Sequence, residues 1–82
     1  MKLPRDLSGK QLAKLLERFG YAPTRQTGSH LRLTTSQGGQ HHITVPLHRS
    51  IPVGTLRGIL HEVSGHFEIP SDQVSARLFD QP

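Results

Sequence analysis

The chain has 82 residues, of which 33% are hydrophobic, so it can form one small domain but not two lobes with a deep cofactor cleft between them. It contains no cysteine, which excludes disulfides, thiolate metal ligands and a cysteine nucleophile, and it has no apolar run of membrane-spanning length. Ten Lys and Arg against six Asp and Glu give a net charge of +4, and this basic balance favours a phosphate-bearing partner. We therefore expect a cytoplasmic domain that makes no contact with membranes.

The segment from Ser8 to Gly20 predicts an amphipathic helix. Ser8 is a favoured N-cap residue, and Gly20 is a favoured residue just beyond a helix end. Four apolar residues at helical spacing would face the core: Leu12, Leu15, Leu16 and Phe19. The opposite side carries a basic ridge, which could follow a phosphate backbone or could be a solvated helix face: Lys10, Lys14 and Arg18.

Residues 21–26 predict an edge strand, or a strand that begins just after Pro23, because proline cannot donate a hydrogen bond within a central strand. Tyr21 is expected to be exposed and is the only aromatic residue available for stacking on bases. Residues 27–29 form a turn.

Residues 30–35 and 40–45 alternate between apolar and polar side chains and predict an antiparallel hairpin. A three-residue loop over 37–39 would place Leu33 opposite Ile43 and Leu31 opposite Val45. The other face would carry the polar set: His30, Arg32, Thr34, His42 and Thr44.

A second amphipathic helix is predicted from Pro52 to Gly65, and a short third helix is predicted after an N-cap at Ser71. The apolar stripe of the second helix is Val53, Leu56, Leu60 and Val63, with Ile59 at its edge; that of the third is Val74, Leu78 and Phe79. Gly54 and Gly58 weaken the second helix, which suggests close packing against them. The expected fold is α+β: a small antiparallel three-stranded sheet with two main helices on one face, similar to a double-stranded-RNA-binding domain, plus a short C-terminal helix.

The candidate catalytic centre is the tripeptide Gly28-Ser29-His30. Glycine permits close approach of a ligand to the backbone, Ser29 supplies a hydroxyl, and His30 opens a strand on its polar face. RNA cleavage by the 2′-hydroxyl requires a base, an acid and positive charge at the phosphate, and His30 with Arg32 or Arg25 could supply these. Alternatively, His30 is simply a polar strand residue.

The other histidines add little at this stage. In the predicted register His42 lies four residues along the sheet from His30, about 13 Å away, which is too far for one phosphodiester; a register with a shorter loop would bring the two histidines closer. His41 faces the opposite side of the strand, which argues against a two-ligand metal site. The sequence does not place His48, and His61 and His66 are expected on a helix surface.

Three segments, in this order, resemble the HicA family of bacterial toxins. LSGKQLAKLLERFGY resembles the family's first helix, RQTGSHLRL the segment with the family histidine, and ITVPLHRSIPVGTLRGIL the strand ending in Val-Pro with the second helix. The resemblance spans residues 8–64, and 65–82 looks like the extra helix of longer members, so that 1–82 would form a single HicA-like domain. Gly58 departs from the bulkier residue of many members.

The resemblance implies an mRNA interferase, a ribonuclease that needs neither metal nor cofactor and is inhibited by a HicB-like antitoxin covering its active site. The resemblance implies a single catalytic histidine, which corresponds to His30. Phosphate would be held by Arg25, Arg32, Lys10 and Lys14, beside Gly28 and Ser29. Two alternatives stay open: a double-stranded-RNA-binding module without catalysis, and an inactive toxin homologue that occupies an antitoxin.

Overall fold

A computed structural model describes residues 2–80 and confirms the α+β fold. The elements, in chain order, are α1 (Gly9–Leu15, continued by a 3-10 turn over Leu16–Phe19), β1 (Ala22–Thr27), β2 (His30–Thr35), β3 (His41–Pro46), α2 (Val53–Phe67) and α3 (Ser71–Phe79). The three strands form one antiparallel sheet in the order β1-β2-β3, and the helices cover one of its faces. The other face is left open, as the predicted arrangement requires.

The predicted register of the β2–β3 hairpin is confirmed. Leu33 lies opposite Ile43 and Leu31 opposite Val45, because any shift by one residue would turn one apolar set away from the helices. The loop is longer than predicted and spans residues 36–40. Gly38 and Gly39 both adopt positive φ in it, at 66° and 100°.

The core lies between the sheet and the helices and draws on every helix as well as on β2 and β3. Its fully buried side chains include Leu12, Leu16, Leu33, Val45, Leu56, Leu60, Val63, Val74 and Leu78. The predicted burial of Val53, the first residue of the apolar stripe of α2, is wrong. Val53 begins the helix and is 52% exposed. Ile59, predicted at the edge of the stripe, is buried instead.

The ends of α1 follow the sequence signals. The Ser8 hydroxyl accepts a hydrogen bond from the Gln11 amide, and the Gln11 side chain accepts one from the Ser8 amide, which is a capping box. Gly20 ends the 3-10 turn at φ 82°. Tyr21, expected to be exposed, is 1% exposed, because its ring enters the core as the chain leaves the turn and packs against Phe67.

The later helices depart from the prediction at their ends. The second helix continues past Gly65 to Phe67, and α3 begins at Ser71 with Pro70 in the cap position. The predicted close packing at Gly54 and Gly58 is wrong: a Cβ at either position would have no neighbouring atom within 4 Å. These glycines lie on the exposed side of α2, where they cost helix propensity but do not interrupt the core.

Candidate functional site

The tripeptide Gly28-Ser29-His30 joins β1 to β2 through a two-residue turn, since Thr27 pairs with His30. Gly28 has φ 58° whereas Ser29 does not have positive φ, a pattern typical of a type II′ hairpin turn. A Cβ at Gly28 would have no atom within 4 Å. The space beside Gly28 is therefore open to solvent, although the Gly28 carbonyl accepts a hydrogen bond from the Gln26 side chain and the Ser29 carbonyl accepts one from the Leu47 amide.

His30 is the first residue of β2 and is exposed. It lies opposite Thr27 of β1 and Pro46 of β3, and it projects on the open face because Leu33, at odd spacing from it, points into the core. His41, His42 and His66 form side-chain hydrogen bonds, but His30 forms none with any other residue of the range 2–80. Its imidazole is therefore in solvent, with both nitrogens available to a ligand.

Two arginines adjoin His30 on the open face. Arg25 lies directly opposite Arg32 in the β1–β2 pair, and Arg32 is two residues along β2 from His30, so all three side chains share this face. Directly opposed residues have Cβ atoms about 4.5–5.5 Å apart, and like charges at that spacing destabilise a sheet. An anion bound between the two guanidinium groups would relieve that repulsion, which makes this position a candidate phosphate site.

The open face carries no acidic residue that could neutralise these cations. All six Asp and Glu residues of the chain lie outside the three strands: Asp6, Glu17, Glu62, Glu68, Asp72 and Asp80. Opposite-charge partners are the usual way to neutralise arginines that lie close together. Their absence from the strands leaves the face positive.

A second polar group on the same face links all three strands. Thr34 Oγ1 lies 2.8 Å from Thr24 Oγ1 and 2.8 Å from His42 Nδ1. His42 is opposite Thr34, four residues along β2 from His30, or about 13 Å. The structure therefore confirms that His42 is too far from His30 to act on the same phosphodiester.

The basic ridge of α1 does not form one surface around His30. The Gly9 amide donates a hydrogen bond to the His48 carbonyl at 3.0 Å, so Lys10, the next residue, lies where α1 meets the end of β3. Lys14 is one helical turn further along, about 6 Å, and both lysines are exposed. Arg18 is already engaged, because its Nη1 donates to the carbonyls of Arg77 and Leu78 at 2.9 Å each.

Another aromatic and imidazole cluster lies on the helix side of the sheet, away from His30. His41 and His66 stack with centroids 4.4 Å apart, His66 Nε2 lies 2.8 Å from the Gln37 carbonyl oxygen, and Tyr21 Oη lies 2.8 Å from His41 Nδ1. His66, expected on a helix surface, does lie on α2 but is half-buried and takes part in this stack. No sequence pattern indicates this stack, which joins β3 to the last turn of α2.

Burial governs the ionisation of this cluster. Desolvation, followed by the charge of Glu62, raises the pKa of Tyr21 to about 12. Desolvation, followed by the neighbouring His66, lowers the pKa of His41, against an opposing effect of Glu62. The cluster therefore favours a neutral Tyr21 phenol and a neutral His41 imidazole. Neutral groups suit a structural contact between a helix and the sheet.

Within residues 2–80, no three His, Asp or Glu side chains are grouped so as to hold a metal ion. No helix in the same part of the chain has the length and apolar character needed to cross a membrane.

In a comparison with known protein families, residues 9–64 match the family model described as HicA toxin of bacterial toxin–antitoxin systems. The matched segment includes β1 to β3, the turn before His30 and most of α2. Neither the curated proteins nor the solved structures give a match. Because the matched residues make up more than half of the chain, this protein belongs to the HicA family of toxins from bacterial toxin–antitoxin systems.

Proposed function

We propose that this toxin is an endoribonuclease that cleaves messenger RNA, with His30 as its catalytic residue. The observation that carries the proposal is an exposed imidazole beside the Arg25–Arg32 pair, on a sheet face without acidic residues. The same arrangement supports a substrate with phosphate groups, because two opposed guanidinium groups match a phosphate better than any neutral ligand.

Cleavage would use the nucleophile that RNA itself carries. The ribose 2′-hydroxyl attacks the adjacent phosphorus while a base removes its proton, and the departing 5′-oxygen receives a proton from an acid. His30 would transfer one of these two protons. Arg25 and Arg32 would hold the non-bridging phosphate oxygens, whose negative charge increases in the transition state.

The remaining predicted residues would position the RNA backbone. Because a Cβ added at Gly28 would have no atom within 4 Å apart from its chain neighbours, the turn would let a sugar-phosphate chain approach His30 closely, and the Ser29 hydroxyl could hydrogen-bond to it. Lys10, near the end of β3, and Lys14, one turn beyond it, would contact phosphates further along the strand. Their effect would be on binding, not on the chemical step.

We further propose that a HicB-like antitoxin inhibits the toxin by covering this open face. An acidic surface on the antitoxin would find no opposing carboxylate in the strands, so its association would be favoured by charge. We also propose that the toxin acts in the cytoplasm, where messenger RNA is translated.

The experiment that tests the proposal compares His30→Ala with a control variant, His61→Ala. The control also removes an exposed histidine, but one that lies on α2. We expect His30→Ala to lose RNA cleavage and toxicity by about 10²–10⁴-fold, while it stays folded and still binds the antitoxin. His61→Ala should cleave as fast as the parent. Cleavage by His30→Ala at the parent rate would refute the assignment.

The same assay separates catalysis from simple RNA binding. If the parent protein binds A-form duplex with a steep salt dependence and the RNA is recovered intact, the chain is a binding module. Recovery of cut RNA with the parent protein, and of intact RNA with His30→Ala, supports the nuclease.

A further inference from the structure

We propose that His48 is a second catalytic residue, which completes an acid–base pair with His30 across the scissile phosphodiester. This inference rests on the proposed ribonuclease function and names the partner that the second proton transfer needs. Residue 48 lies in the connection between β3 and α2, outside regular secondary structure. Its position follows from the backbone contacts on either side of it.

The end of β3 continues alongside the start of β2. Pro46 lies directly opposite His30, and the amide of the next residue, Leu47, donates a hydrogen bond to the Ser29 carbonyl at 2.6 Å. The chain at residue 47 is therefore still paired with the turn that precedes His30.

Strand β3 ends at Pro46, and two contacts with Gly9 lead us to infer that the backbone continues in an extended path through His48. Gly9 packs against the carbonyl of Pro46, where a Cβ would collide with the oxygen, and the Gly9 amide donates to the carbonyl of His48 at 3.0 Å. Carbonyls two residues apart thus point to the same side, as in a strand. By the same period of two, the side chain of His48 shares the open side with Pro46 and His30, whereas that of Leu47 turns to the other side.

Burial agrees with this placement, since Leu47 is half-buried and His48 is exposed. His48 is thus a diagonal neighbour of His30 across the sheet, at a distance of about 7–8 Å, which aromatic side chains can bridge. Each imidazole nitrogen can then lie within about 2.6–3.2 Å of one reacting oxygen of the same phosphate.

The connection is fixed, which a catalytic side chain requires. Besides the bonds at Leu47 and His48, the Ile51 amide donates to the Leu7 carbonyl at 2.7 Å. All three bonds join backbone atoms. A substitution of the His48 side chain therefore leaves the path of the chain intact.

The other histidines do not meet the same conditions. His42 shares the open face but lies about 13 Å along the strands, and His41 packs on the helix side against His66. His61 and His66 belong to α2, on that same helix side of the sheet.

The reaction balances with the two imidazoles alone. One neutral imidazole takes the proton of the 2′-hydroxyl as the 2′-oxygen forms a bond to phosphorus. The bond from phosphorus to the 5′-oxygen breaks, and that oxygen takes a proton from the other imidazole, which begins as imidazolium. The products are a 2′,3′-cyclic phosphate and a 5′-hydroxyl, and the pair is left with its two protonation states exchanged.

The test measures single-turnover cleavage of an RNA with a mapped cut site by His48→Ala, His48→Gln and His42→Ala. His42→Ala is the matched control, because it removes an exposed imidazole from the same face. We expect both His48 variants to be slower than the parent by about 10²–10⁴-fold, with the dissociation constant for RNA changed much less. His42→Ala should stay within about threefold of the parent, since its imidazole provides no catalytic proton.

A modified substrate separates proton transfer from positioning. When sulfur replaces the scissile 5′-oxygen, the leaving group departs as a thiolate and needs no acid. One of the two variants, His30→Ala or His48→Ala, should then recover most of the parent rate, because only one of the two residues is the acid. The variant that lacks the base should stay slow.

Two results would overturn the proposal. In the first, His48→Ala cleaves ordinary RNA as fast as His42→Ala does. In the second, His48→Ala is slow but sulfur substitution rescues neither variant, which would make His48 a positioning residue. A parent protein that does not cleave RNA would instead refute the proposed function, so the two failures are distinguishable.

Discussion

The contact between Gly9 and the end of β3 predicts that even a methyl group at residue 9 destabilises the protein. An added Cβ would lie far inside van der Waals distance of the Pro46 carbonyl oxygen and 2.9 Å from Leu47 Cα. These are backbone atoms, so the neighbour cannot relax by a rotamer change. Overpacking of this kind costs about 1–3 kcal/mol, and the gain in helix propensity from Gly to Ala returns at most about 1 kcal/mol.

We therefore expect Gly9→Ala to lower the free energy of unfolding by about 1–2 kcal/mol, measured by urea denaturation followed by circular dichroism. The matched control is Gly58→Ala, where no atom lies within 4 Å of the added Cβ. This variant should be more stable than the parent by about 0.5–1 kcal/mol. If Gly9→Ala is as stable as the parent while Gly58→Ala behaves as expected, the packing of α1 against Pro46 is not as described.

Two further predictions concern the cluster on the helix side of the sheet. Tyr21 is the only tyrosine in the chain, so an alkaline absorbance titration should give a midpoint of about 12, and a midpoint near the ordinary value of about 10 would contradict its burial. Since its pKa is raised in the folded state, its contribution to stability should be complete below about pH 10 and be lost as the pH rises from there. His41 has the opposite dependence: its pKa is lowered in the folded state, so the unfolded chain binds the proton more readily. The free energy of unfolding should therefore fall as the pH drops below about 6.5, and denaturation of the parent and of His41→Asn across that range should show a steeper fall for the parent.

The fold could be predicted where apolar residues recur at regular spacing in an element that buries only one face. Leu31 and Leu33 opposite Val45 and Ile43 determine the hairpin register by parity, and Ser8 and Gly20 delimit the first helical segment. Patterns are weaker at the ends of elements. Gly65 is a typical stop signal, yet α2 continues because that glycine lies on the exposed side and Phe67 still packs against the core.

The candidate site was predictable only in part, for a related reason. The alternation of β2 places His30 and Arg32 on one face, and the two-residue turn brings Arg25 opposite Arg32. The position of His48, by contrast, depends on hydrogen bonds to Ser29 and Gly9, residues far away in sequence. No local pattern reports such contacts, and the stack of His41 on His66 escaped prediction for the same reason.

Because α3 packs on the rest of the domain, the folded unit extends beyond residues 9–64, the segment that matches the family model. Val74 and Leu78 of α3 fill the core, and the carbonyls at its end accept the Arg18 guanidinium. Arg77 of the same helix lies over the ring of Phe19, 4.3 Å from its centroid. Loss of α3 would uncover apolar surface and release Arg18 to the solvent, so this helix also sets how much positive charge the protein presents to other molecules.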